Sequence, residues 1–113
     1  RFAVQSYLDH HARKLAWRFD ANSYLVLTES ILTHDVGRDR GGVEAALRRV
    51  TAHALVVAVT SDRLYLPEQS ERIAAAVPRS GGVHLVRSDL GHDGFLVERD
   101  QVGTMVTQFL REL

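Results

Sequence analysis

Asp62, in Val59-Thr60-Ser61-Asp62-Arg63-Leu64-Tyr65, and His92, in Gly91-His92-Asp93-Gly94-Phe95-Leu96, are the two side chains best placed to do chemistry. Each follows a β-like run by a few residues, where an open α/β sheet presents its strand ends to a ligand. A histidine at such a place works as a general base when a carboxylate fixes its tautomer. An acid followed in chain order by a histidine is the second half of a Ser…Asp…His order. The first half, a nucleophile on a G-x-S-x-G elbow, is absent, and none of the seven serines stands in that pattern. The chain therefore reads as the later part of a larger catalytic unit.

Each residue also has a plainer reading. Aspartate after a strand is ordinary turn chemistry, and Ser61 and Asp62 would then only turn the chain toward Pro67. A single loop histidine is more often a surface residue. The glycines around His92 permit unusual backbone angles and close approach by other groups. Order and shared position at one sheet edge are what make the pair more than two inert loop residues. Asp93 reads equally as a turn residue or as a contact for a cationic group such as a substrate ammonium.

The remaining candidates are weaker. His10 and His11 are adjacent and point to different helix faces, and with His34-Asp35 they match no H-E-x-x-H-like ligand spacing, so no metal site is expected. His53 and His84 flank or occupy strands and read as structural. Gly37-Arg38-Asp39-Arg40-Gly41-Gly42 lacks the G-K-[ST] ending of a phosphate loop. Its charges suit a solvated loop, with Arg38 or Arg40 the residues able to reach an anionic co-substrate. Trp17 and the tyrosines sit at packing positions.

The elements that must carry the pair can be placed from periodicity. Residues 2 to 19 form a helix with Val4, Leu8, Leu15 and Phe19 on one stripe. Asp20 is placed to cap a second helix from Ala21 to Thr33, apolar on more than one side and so in need of cover. His34 to Gly42 is a loop, and a short helix follows from Val43 to about Val50. The period then changes. Ala54-Leu55-Val56-Val57-Ala58-Val59 is an unbroken run suited to a strand buried on both faces of a parallel sheet. Pro67 begins a helix at its first turn, which ends before Pro78. Val83-His84-Leu85-Val86-Arg87 is a second strand. A last helix from about Glu98 carries Val102, Met105, Val106, Phe109, Leu110 and Leu113 at three-and-four spacing.

The fold class is thus α/β, a helical segment over residues 1–50 followed by strand–helix–strand–helix over 51–113. Two strands do not make an independently stable sheet, so neighbours from a longer protein are expected. With 113 residues, fourteen basic and fourteen acidic side chains and 45% hydrophobic content, the chain suits one small globular domain with no nucleic-acid or membrane partner. It contains no cysteine, which excludes thiolate catalysis and disulfides and points weakly to the cytoplasm. Its longest apolar run is too short to span a bilayer. The start on Arg1, without methionine or an apolar signal segment, is expected to be a cut within a longer protein.

Five segments stand in order along the chain: Phe2-Ala3-Val4-Gln5-Ser6-Tyr7-Leu8-Asp9-His10, Arg18-Phe19-Asp20-Ala21-Asn22-Ser23-Tyr24, His34-Asp35-Val36-Gly37-Arg38, Ser61-Asp62-Arg63-Leu64-Tyr65 and Gly91-His92-Asp93-Gly94-Phe95-Leu96. Together they resemble homoserine O-acetyltransferase, an acyltransferase family of the α/β-hydrolase fold. The resemblance runs in order along essentially the whole chain. It implies the C-terminal part of an α/β-hydrolase fold, with residues 1–50 as the helical lid and dimerisation segment and 51–113 as the core that carries the acid and the base. It implies transfer of an acetyl group from acetyl-CoA to the hydroxyl of L-homoserine, in methionine biosynthesis, by a ping-pong route through an acyl-serine. Asp62 matches the family's triad acid, His92 its triad base and Asp93 the residue that binds the substrate amino group. Acetyl-CoA is a co-substrate, and no resident cofactor or metal is implied.

Two family features have no counterpart in the chain, the nucleophilic serine on its elbow and the substrate-binding arginine upstream. The isolated chain is therefore expected to be inactive. Acyl-donor choice depends on the pocket near the elbow. Homoserine O-succinyltransferase, serine O-acetyltransferase or an esterase-like hydrolase of the same fold thus remain as alternatives, as does a non-catalytic interaction module.

Overall fold

The computed structural model describes residues 2–113; Arg1, the first position of the expected helical segment, lies outside the described residues. They form six α-helices, one turn of 3-10 helix and a two-stranded parallel sheet. The chain divides into two compact units, the first ending at Asp35 and the second running from Val36 to Leu113.

The first unit is two helices, α1 (Ala3–Arg18) and α2 (Ala21–Thr33). Phe19 and Asp20 are extended between them, and the Asp20 carboxylate accepts the Ser23 N–H at 2.8 Å, the expected cap of α2. The Phe19 and Tyr24 rings meet edge to face across the same turn. Neither helix buries a side chain: Val4, Leu8 and Leu15 on α1 and Leu25, Ile31 and Leu32 on α2 are all more than half exposed. The apolar stripes read from the sequence exist but have no cover within this unit.

The second unit holds the sheet. Strands β1 (Val56–Val59) and β2 (Val83–Val86) pair in parallel, Val56 opposite Val83 and Val59 opposite Val86. Parallel pairing requires a crossover, supplied by α4 (Pro67–Ala76). Pro67 occupies the first turn, where its missing N–H costs nothing. Leu66 and Gln69 satisfy one another there, the Gln69 side-chain oxygen accepting the Leu66 N–H and the Leu66 carbonyl accepting the Gln69 N–H. At the other end, Ser80 donates to the Ala74 carbonyl at 2.6 Å, occupying one of the last-turn acceptors.

Ala58, Val59, Ala74, Ala76, Val77 and the wholly buried Val86 form the core between strands and crossover. Burying a valine contributes roughly 1.5–3 kcal/mol, so this small cluster is what holds the strand ends in register. The short α3 (Val43–Leu47) joins it, tied to α4 by the Glu44–Arg72 ion pair at 2.9 Å. The last helix, α6 (Arg99–Arg111), half-buries Val102, Met105 and Phe109 at three-and-four spacing. It also holds the residue that follows β2: the Gln101 amide accepts the Arg87 N–H at 3.0 Å and donates to the Arg87 carbonyl at 2.8 Å.

One detail differs from the expected layout: residues 91–97 are not open loop but a 3-10 turn (Gly91–Asp93) running into a one-turn helix, α5 (Gly94–Val97).

Candidate active site

The carboxyl ends of β1 and β2 lie side by side, and the sheet carries the chain straight into the site. Beyond the last pair of residues, the Thr60 N–H continues the ladder to the Val86 carbonyl at 3.0 Å. Asp62 then closes a tight turn, its N–H bonded back to the Val59 carbonyl. Its side chain is almost fully buried, at 6% exposure. One carboxylate oxygen accepts the N–H groups of Leu64 and Tyr65 at 2.8 and 2.9 Å, and the other faces His92 Nδ1 at 2.9 Å. One oxygen thus makes the turn expected of an aspartate after a strand, and the other meets the histidine.

His92 reaches this position because of the glycines beside it. Gly91 has φ +62°, a left-handed conformation that L side chains rarely adopt. Gly94 is buried where a Cβ would lie 2.7 Å from Val59 Cγ1 and 2.8 Å from Ser88 Cβ, so only glycine lets α5 start against the end of β1. The Tyr65 and Phe95 rings lie 5.2 and 5.3 Å from the imidazole. They limit its tilt while leaving 38% of the side chain exposed.

This geometry sets the proton positions. An ionised carboxylate only accepts, so Nδ1 of a neutral His92 carries the hydrogen and Nε2 keeps its lone pair. The His92 hydrogen bond holds the Asp62 carboxyl below its ordinary range, with help from the Tyr65 and Leu64 N–H groups and against the opposing effect of burial. The pair is thus an oriented base with a fixed anion behind it, able to take a proton at Nε2 and carry the resulting charge. Beside it opens a cleft of about 710 Å³, lined by Val57, Val59, Asp62, Tyr65, His92 and Phe95 among others.

Of the three residues singled out in the sequence, the structure brings Asp62 and His92 into direct contact. Asp93 is exposed in the same 3-10 turn, one residue past the histidine. The other histidines are elsewhere. Tyr7, His10 and His11 contact one another on α1, while His53 and His84 are exposed. Arg40 folds back onto the Val36 carbonyl. Among the described residues no group of three or more His, Asp or Glu side chains is arranged to hold a metal ion, and no helix is long and apolar enough to cross a membrane.

Read from sequence, Ser61 has only a turn role and Tyr65 only a packing role, and Ser88 and Phe95 have none, yet all four neighbour the pair. A signal for Ser61 was present, since it immediately precedes Asp62 as Gly91 immediately precedes His92, and the two bond to each other at 2.9 Å.

The described residues form an α/β unit in which a buried aspartate meets a histidine at adjacent parallel strand ends, the geometry an acid-and-base pair requires. No protein-family model matches the chain. Among curated proteins it is 54% identical to the homoserine O-acetyltransferase of Thermobifida fusca, over 99% of this chain and 30% of that protein. It is 51% identical to the homoserine O-acetyltransferase of Mycobacterium tuberculosis, over 97% of this chain and 29% of that protein. That of Clavibacter michiganensis subsp. michiganensis is 50% identical, again over 97% and 29%. The resemblance to homoserine O-acetyltransferases therefore holds along nearly every residue, and the chain spans about 30% of the length of these relatives.

Proposed function

We propose that this chain is the acid-and-base part of an α/β-hydrolase-fold acyltransferase that acetylates L-homoserine from acetyl-CoA. The observation that carries the reading is the 2.9 Å Asp62–His92 contact at adjacent strand ends, in a chain half identical to proteins named for that reaction. In the whole protein a serine supplied from outside this chain attacks the thioester carbonyl while His92 Nε2 takes its proton. The CoA thiolate leaves, and His92 returns the proton to it. The base then removes the proton of the homoserine hydroxyl, which attacks the acyl-serine, and the regenerated serine oxygen recovers the proton. Asp62 holds the ring and offsets the imidazolium charge at each stage. Asp93, exposed beside the base, binds the homoserine ammonium.

The same reading gives roles to the rest of the chain. Residues 51–113 are the core segment with the acid and base, and its two strands gain neighbours in the whole protein. Residues 1–50 form the lid and dimerisation segment; the uncovered apolar side chains of α1 and α2 suit burial against a second copy. The whole protein acts in the cytoplasm, in methionine biosynthesis.

The test is an acyl-transfer assay of the full-length protein with acetyl-CoA and succinyl-CoA, each against L-homoserine, L-serine and water. The reading expects O-acetylhomoserine as the dominant product, and no turnover by the isolated 113-residue chain. Preferred succinyl transfer, serine acetylation or simple thioester hydrolysis would each replace it with the corresponding alternative.

A further inference from the structure

The two strand-end loops are joined by more than the Asp62–His92 contact. Three consecutive residues leaving β1 each bond to the loop leaving β2. Thr60 Oγ1 accepts the Ser88 N–H and donates to the Ser88 carbonyl, both at 3.3 Å. Ser61 Oγ accepts the Gly91 N–H at 2.9 Å. Asp62 then meets His92. The shortest of the structural links, Ser61 to Gly91, acts on the residue whose left-handed backbone turns the chain back toward the acid. Ser88, itself 8% exposed, accepts the Leu90 N–H from the other side of that turn. A half-buried N–H next to the base is thus committed to the hydroxyl next to the acid.

We infer that Ser61 is a positioning residue for His92: its hydroxyl oxygen anchors the Gly91 N–H and so sets the separation between imidazole and Asp62. The inference rests on the reading of His92 as the base. With the hydroxyl removed, the Gly91 N–H loses its acceptor, the turn relaxes, and the ring moves relative to both Asp62 and the incoming nucleophile. Misplacement of a reacting group by about 1 Å costs on the order of 10²-fold in rate. A partial displacement should therefore cost around tenfold.

The experiment compares Ser61→Ala, Ser61→Cys and Ser61→Thr with wild type in the full-length protein. It follows kcat and KM for acetylation of L-homoserine, with His92→Asn as a control. Ser61→Ala is expected to lower kcat about tenfold with KM nearly unchanged. Ser61→Cys, close in size but a weak acceptor, lowers kcat in the same way, and Ser61→Thr, which keeps the hydroxyl, restores wild-type behaviour. Should Ser61→Ala fail to fold, Ser61→Cys carries the test. Wild-type kcat in Ser61→Cys overturns the inference, as does an equal loss in Ser61→Thr or a loss that appears in KM alone. Full activity in His92→Asn defeats the underlying reading instead, so the two failures are distinguishable.

Discussion

The two compact units are built from helices of similar quality and differ in what those helices cover. In the first, α1 and α2 are well formed and α2 is properly capped, yet neither buries a side chain. In the second, the much shorter β1, β2 and α4 enclose Val59, Ala74, Val77 and Val86. Local propensity and capping suffice to shape a helix. Only tertiary packing fixes two loops to within hydrogen-bonding distance, and the Asp62–His92 contact accordingly sits where the core is.

That contrast can be broken or sharpened by substitution. The largest stability effect belongs to Val86→Ala in the full-length protein, about 2–3 kcal/mol by denaturant unfolding, because it empties a wholly buried site under the strand ends. Leu25→Ala in the 113-residue chain should change helicity and stability little, because the side chain is 66% exposed there. The same change in the full-length protein should weaken self-association, measured by sedimentation, if α2 is covered by a second copy. An equal and substantial loss of stability at Leu25 in both forms would dissolve the contrast.

Acid pH discriminates more finely. The folded-state pKa of Asp62 is depressed, so its ionised form contributes stability that is complete above the ordinary carboxylate value of 3.8 and is lost as pH falls below it, through the lowered value. Unfolding midpoints of the full-length protein should therefore fall on acidification through that range, and Asp62→Asn should flatten this component. An acid limb unchanged by Asp62→Asn would show that the pair is not coupled to folding. The smallest effect is expected from Asp20→Ala. Loss of the bond to the Ser23 N–H should fray the first turn of α2, seen as a modest drop in helical circular dichroism of the 113-residue chain, and leave the second unit untouched.

The legibility of the sequence follows the same division. Helices at 3–18, 21–33, 67–76 and 99–111 could be read because their apolar spacing, Asp20 and Pro67 are local signals. The parallel strands could be read because β-branched runs on either side of a helix leave few topologies. The Asp62–His92 contact is legible only jointly, since an aspartate after a strand and a histidine among glycines are each ordinary. What escaped the sequence depends on contacts across the sheet. The 3-10 turn holding His92 looks like a glycine loop until Ser61 secures Gly91, and Gly94 is required only because Val59 and Ser88 lie within 3 Å of where its Cβ would be. The exposure of α1 and α2 was equally hidden, because an apolar stripe states a need for cover and not what supplies it.

The central claim is that Asp62 and His92 work as one oriented base. It is tested most directly by kcat for L-homoserine acetylation in the full-length Asp62→Asn protein. An amide in that place leaves the volume intact and removes the anion that fixes the Nδ1–H tautomer. In that variant kcat should fall on the order of 10⁴-fold, with KM for homoserine little changed. A kcat within about tenfold of wild type would contradict it.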